Sequence, residues 1–188
     1  MPIIINNVQS SPNGQSFDAT IRSGEKSFPL FFKTKGATMA NRSEAMVAAT
    51  LLSAMKSKAG SILVQNQPSL QFLTNLEEVQ SIYQTWKPNY DVVRIESNLP
   101  ALPQEMTGSR VGLFYSAGVD SSYALLKYRD QITDLLFIQG FDIPYNATNL
   151  IQKRSDMVHK VAASMGLGVV EINTNLRKFM DAHVFWGL

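Results

Sequence analysis

The second half of this sequence predicts an α/β fold built on a parallel sheet. Three observations carry the prediction. From residue 111 onward the chain alternates strand, helix, strand, helix, strand. Its strand segments are continuous apolar runs, such as Leu135-Leu136-Phe137-Ile138, as expected for strands covered on both faces. Between them lie segments long enough to be the helical crossovers that parallel strands require. The first half reads as a smaller α+β unit, and a boundary near residue 104 divides the chain into domains 1–104 and 105–188.

Taken in order, Phe17, Ala19 and Ile21 alternate with polar residues, and Phe28 to Phe32 form a second apolar run. Ser23-Gly24 between them reads as the turn of a β-hairpin. Ser43 to Ser57 follows as a helix, with Met46, Ala49, Leu52 and Met55 along one stripe, and Ser61 to Val64 as a short strand. The clearest helical period belongs to Phe72, Leu73, Leu76, Val79, Ile82, Tyr83 and Trp86, capped by Ser69 and stopped by Pro88. That aromatic stripe reads as core rather than as a ligand box. Tyr90 to Ile95 reads as a further strand. The prolines of Asn98-Leu99-Pro100-Ala101-Leu102-Pro103, with Gly108-Ser109, mark a linker. Beyond it come a strand at Val111–Tyr115, a helix from Asp120 to about Tyr128, a strand at Asp134–Phe141 and a helix at Asn149–Met165. Gly166-Leu167-Gly168 breaks that helix before a third strand at Val169–Ile172.

Composition narrows the function classes. The 188 residues carry 17 Lys plus Arg against 15 Asp plus Glu, a net charge of +2, too balanced for a nucleic-acid wrapper or a polybasic anchor. The chain has no cysteine, which excludes disulfides, thiolate metal sites and a catalytic thiol within these residues. Two histidines, His159 and His183, do not by themselves make a metal site. No segment has the roughly 20 apolar residues needed to span a bilayer, and Met1-Pro2-Ile3-Ile4-Ile5 lacks a basic export region, so a cytoplasmic protein without membrane partners is expected.

The chemistry concentrates in Ser116-Ala117-Gly118-Val119-Asp120-Ser121-Ser122, between the first strand and first helix of the second half. A strand running through a tight turn into a helix gathers free backbone N–H groups at one point, and the helix dipole adds positive potential there. Gly118 permits positive φ or close approach to a ligand. The serines add hydroxyls, and Asp120 can cap the helix or hold Mg²⁺ beside a polyphosphate. The loop lacks the lysine of a Walker loop and the three glycines of a dinucleotide fold. In parallel sheets, ligands bind beyond the carboxyl ends of the strands. Ser116, Asp142 and the group Thr174, Asn175 and Arg177 follow the three strands in turn, so they are expected to face one crevice. Gly140 and Phe141 are placed to frame a ring.

Leu113-Phe114-Tyr115-Ser116-Ala117-Gly118-Val119-Asp120-Ser121-Ser122 resembles the pyrophosphate-binding loop, Ser-Gly-Gly-x-Asp-Ser, of the PP-loop N-type ATP pyrophosphatases, the adenine nucleotide α-hydrolase-like superfamily. Leu136 to Ile143 and Asn173-Thr174-Asn175-Leu176-Arg177 are similar to relatives of 7-cyano-7-deazaguanine synthase. The resemblance covers about Arg110 to Leu188. It implies a HUP-like three-layer αβα domain, of which this chain carries an incomplete part. It also implies ATP and Mg²⁺ as cofactors, and cleavage of ATP to AMP and pyrophosphate with activation of a substrate carboxylate or carbonyl. The nucleotide contacts so implied are Ser116, Ala117, Gly118, Val119, Asp120, Ser121, Ser122, Gly140, Phe141, Asp142 and Arg177, with Asp120 toward the metal. Ala117 departs from the family pattern, which has glycine there, and its Cβ costs about 1 kcal/mol or more where positive φ is required.

Blander roles stand beside these. The loop can be a helix start that merely caps itself, Asp142 before Ile143-Pro144 a turn former, and Arg177 one half of an ion pair. His159 reads as a surface or packed side chain, and Asp156 and Glu171 as solvated or structural. Phe185-Trp186 near the end suggests a cut edge, a naturally short protein, a homo-oligomer or a second chain completing the sheet. The rival to an ATP-dependent ligase is a non-catalytic nucleotide-sensing or protein-interaction module with the same fold.

Overall fold

The computed structural model describes residues 1–40, 42–100 and 108–181. Their elements are β1 (Ile3–Ser10), β2 (Ser16–Ser23), β3 (Lys26–Lys35), α1 (Ser43–Lys56), β4 (Ser61–Asn66), α2 (Leu70–Trp86), β5 (Arg94–Leu99), β6 (Gly112–Phe114), α3 (Val119–Lys127), β7 (Asp134–Gln139), α4 (Thr148–Met165), β8 (Gly168–Thr174) and α5 (Leu176–Asp181). One sheet takes all eight strands in the order β5-β4-β1-β2-β3-β8-β7-β6.

The sheet is mixed, not parallel throughout. β6, β7 and β8 run parallel as expected, but β8 continues antiparallel onto β3, with Phe32 opposite Thr174 and Lys35 opposite Glu171. The two halves of the sequence therefore share one hydrogen-bonded ladder. Most of the proline-rich linker, residues 101–107, lies outside the described residues, as do His183 and the terminal Phe185-Trp186.

Handedness explains where the helices go. β1, β4 and β5 step along the sheet in the same lateral direction as β6, β7 and β8, but the two sets of strands point opposite ways. Right-handed crossovers then put α1 and α2 on one face and α3 and α4 on the other. The cores follow this division. Ile3, Ile5, Phe17, Ile21, Leu30 and Ile62 pack with Met46, Val47 and Met55 of α1 and with Leu176, Phe179 and Met180 of α5. On the opposite face, Leu135 and Phe137 pack with Leu125 of α3 and with Val158 and Ala162 of α4.

Several local readings are corrected by this packing. A strand the sequence reading did not place, β1, occupies Ile3–Ser10 as an interior strand between β4 and β2. The strand expected at Tyr90 begins at Arg94. The backbone of Val93 pairs instead with the side chain of Gln80, its N–H donating to Oε1 (2.8 Å) and its carbonyl accepting from Nε2 (3.3 Å). The α2 stripe is only partly core: Leu76 is buried, while Val79, Ile82 and Trp86 are exposed because α2 flanks the outer strands. Ser69 caps α2 by accepting from the Phe72 N–H (3.4 Å). Gly166 ends α4 in the left-handed conformation, φ 65°.

Candidate functional site

β6 ends at Phe114, and the chain reaches α3 through Tyr115-Ser116-Ala117-Gly118. The turn is tight because Ala117, not Gly118, takes positive φ, at 60°. This corrects the expectation for Gly118, whose φ of −84° and ψ of 173° are extended and open to any residue. A non-glycine residue in the left-handed region carries about 1–2 kcal/mol of strain. The methyl of Ala117 packs against the core under α3 and α4, which offsets part of it.

Gly118 is the N-cap of α3 and has no side chain to supply the cap bond, so Asp120 does not cap the helix but sits exposed in its first turn. The first intrahelical bond runs from the Ser122 N–H to the Gly118 carbonyl (3.0 Å). The N–H groups of Val119, Asp120 and Ser121 precede it and have no intrahelical acceptor. Ser116 Oγ accepts from the Gly118 N–H and lies 3.4 Å from Ser121 Oγ, while Ser121 Oγ donates to the Gly118 carbonyl (3.1 Å). Ser122 Oγ lies 3.4 Å from the Tyr115 hydroxyl.

The loop borders a cleft of about 540 Å³, within the range of small-molecule sites, but the expected contacts Val119, Asp120, Ser121 and Ser122 are not among the residues that line it. Ser116, Ala117 and Gly118 line one side and Phe141 and Asp142 the other, with Phe114, Leu136 and Ile138 as an apolar floor. The expected meeting of the first two strand ends is therefore present. The third strand end behaves differently. Thr174 and Asn175 are buried, and Asn175 ties β8 to β3 by accepting from the Phe31 N–H (3.0 Å) and donating to the Pro29 carbonyl (2.7 Å). Arg177 does not line the cleft: it pairs with Asp181 (3.1 Å) and donates to the Phe141 carbonyl (2.5 Å). Gly140, at φ 104°, backs onto the Thr174 carbonyl so closely that a Cβ would collide with it. It shapes the wall from behind.

The residue missed from the sequence is Arg154, on the second turn of α4. It lines the same cleft, is half-buried, and has no hydrogen-bond or ion-pair partner among the described residues. The available signal was its position beside Ser155 and Val158 on the inward stripe of α4, where a charged side chain is out of pattern.

Other charged groups are occupied structurally. Glu171 accepts from Ser155 and meets His159 at 3.2 Å, and Asp156 accepts from Gln152. Asp134 is held below the usual carboxylate range by its hydrogen bonds with Arg110, from Nε (2.8 Å) and from Nη2, against the opposing effect of burial. That pair sits at the amino ends of β6 and β7, away from the cleft. No group of three or more His, Asp or Glu residues suited to a metal occurs among the described residues. A magnesium ion bound through phosphate oxygens needs only one or two carboxylates; Asp120 in the first turn of α3 and Asp142 across the cleft satisfy that donor count.

The chain matches no protein-family model, no curated protein and no solved structure. Among the described residues no helix is long and apolar enough to cross a membrane.

Proposed function

We propose that the cleft binds the polyphosphate of ATP with Mg²⁺, and that the protein is of the adenylating ATP pyrophosphatase kind, dividing ATP into AMP and pyrophosphate as it activates a carboxylate or carbonyl. The observation that carries this reading is Arg154, which has no hydrogen-bond or ion-pair partner among the described residues and lines the same cleft as Ser116, Ala117 and Gly118, the turn that leads into the free N–H groups of α3. A half-buried guanidinium that makes no ion pair among the described residues favours an anion that would complete it. The N–H groups and serine hydroxyls would hold phosphate oxygens, Arg154 would neutralise their charge, and Asp120 and Asp142 would direct the metal. The apolar floor of Phe114, Leu136 and Ile138 would take the adenine ring, with Phe141 beside it. Such catalysis depends on positioning and charge stabilisation and not on a protein nucleophile, which is compatible with a chain that has no cysteine.

Titration calorimetry with Mg·ATP tests it. Arg154→Gln is expected to weaken binding by about tenfold, the loss of one charge-assisted contact. It should leave stability intact, because Arg154 makes no hydrogen bond or ion pair among the described residues. Wild-type protein that is folded and binds no nucleotide would overturn the proposal. The strained Ala117 favours a second reading, binding without cleavage in a nucleotide-sensing module. Release of pyrophosphate by the wild-type chain would exclude that alternative.

A further inference from the structure

The cleft lies on the seam between the two cores. Its loop side, Tyr115 and Ala117, packs with the core under α3 and α4, whereas Phe141 on the opposite side packs with the core of the N-terminal half. Only a short turn carries that wall, closed by a bond from the Gly140 N–H to the Ile143 carbonyl (2.9 Å). Arg177 reaches this turn from α5, donating to the Phe141 carbonyl while Asp181 fixes its other edge. α5 itself is anchored: the Leu176 N–H bonds Thr174 Oγ1 (3.1 Å), Asn175 clamps β3, and Leu176, Phe179 and Met180 are buried in the N-terminal core, where Phe179 stands 5.3 Å from the Phe28 ring.

We infer that Arg177 is a positioning residue that latches the Phe141 wall to the N-terminal half and so sets the width of the cleft. Its part in ligand binding rests on the nucleotide reading above; the latch itself does not. A planar guanidinium suits the task because one edge can hold a carbonyl while another holds a carboxylate. The N-terminal half thereby acquires a role at the site without contributing a residue that touches ligand. A ligand spanning both sides should feel the latch, and one confined to the Ser116–Ser121 side should not.

Two measurements on the full chain test this. Hydrogen exchange of the ligand-free protein compares wild type with Arg177→Gln and Arg177→Lys. Amides of the Gly140–Ile143 turn are expected to exchange about five- to tenfold faster in Arg177→Gln, the effect of losing one partly exposed charge-assisted bond, with residues 116–122 unchanged and Arg177→Lys intermediate. Unchanged exchange in the turn, or uniform acceleration across the chain, would overturn the latch. Calorimetry then uses Mg·ATP and inorganic pyrophosphate as separate probes. Arg177→Gln is expected to weaken Mg·ATP by a similar factor and leave pyrophosphate as in wild type; equal losses for both would refute the positioning role. If wild type binds neither probe, the nucleotide reading fails, while the exchange result still decides whether the latch exists.

Discussion

Replacing Ala117 by glycine is expected to be neutral to slightly stabilising, the reverse of what alanine-to-glycine does at an ordinary site. Ala117 sits at φ 60°, where a side chain costs about 1–2 kcal/mol that glycine does not incur. Against this, glycine adds unfolded-state entropy worth about 0.4–1 kcal/mol. Loss of a half-buried methyl removes about 0.4 kcal/mol more, half the value of a fully buried methylene. The balance is a gain of about 0.4 kcal/mol. Ala124, in the interior of α3, is the control: there the same substitution should cost about 1 kcal/mol. Urea unfolding of both variants measures the contrast, about 1.4 kcal/mol, from midpoints at unchanged slope. If Ala117→Gly destabilises as much as Ala124→Gly, the left-handed turn and the strain argument built on it are wrong.

Asn175→Ala removes both side-chain bonds joining the end of β8 to β3 and leaves the Phe31 N–H and Pro29 carbonyl without partners, so a loss of about 3 kcal/mol is expected in chemical denaturation. Ser53 Oγ is buried in α1 with no hydrogen-bond partner among the described residues, and Ser53→Ala should raise stability by about 1 kcal/mol, seen as a higher melting temperature. The folded Asp134 titrates below its unfolded value of about 3.9, so its stabilising effect is complete above that pH and is lost as pH falls through the folded value. Asp134→Asn should therefore be less stable than wild type near neutral pH, with the gap closing in strong acid. A gap that stays constant down to low pH would contradict the assignment.

Much of the site was legible because its signals are local. The Ser116–Ser122 segment announces a strand-to-helix turn within seven residues, and Asp142 follows the next apolar run, so both could be placed at neighbouring strand ends. The ion-pair role of Arg177 was legible and is present with Asp181; Arg154 and the contact of Arg177 with the Phe141 carbonyl were not. The first depends on which face of α4 meets the cleft, and the second on a carbonyl 36 residues away. Gly118 drew an expectation of positive φ or close approach because glycine adopts both most cheaply, yet the positive φ falls one position earlier, on Ala117, whose methyl packs against the core under α3 and α4. The Tyr90 strand was misread because Gln80, on a different element, bonds the Val93 backbone and the ladder with β4 begins only at Arg94.

By itself the sequence determined the alternation of strands and helices after residue 111, the hairpin of β2 and β3, the capped α2 and the position of the loop. Each is written in spacings of two to four residues, the range over which a backbone repeats its faces. Tertiary structure alone decided that β3 pairs with β8, so that two α/β halves share a sheet with helices on opposite faces, and that the cleft falls between their cores. Those outcomes depend on pairings between residues about 140 positions apart, such as Phe32 with Thr174. Hydrophobic periodicity tells each strand which side to bury, but not which strand will lie beside it.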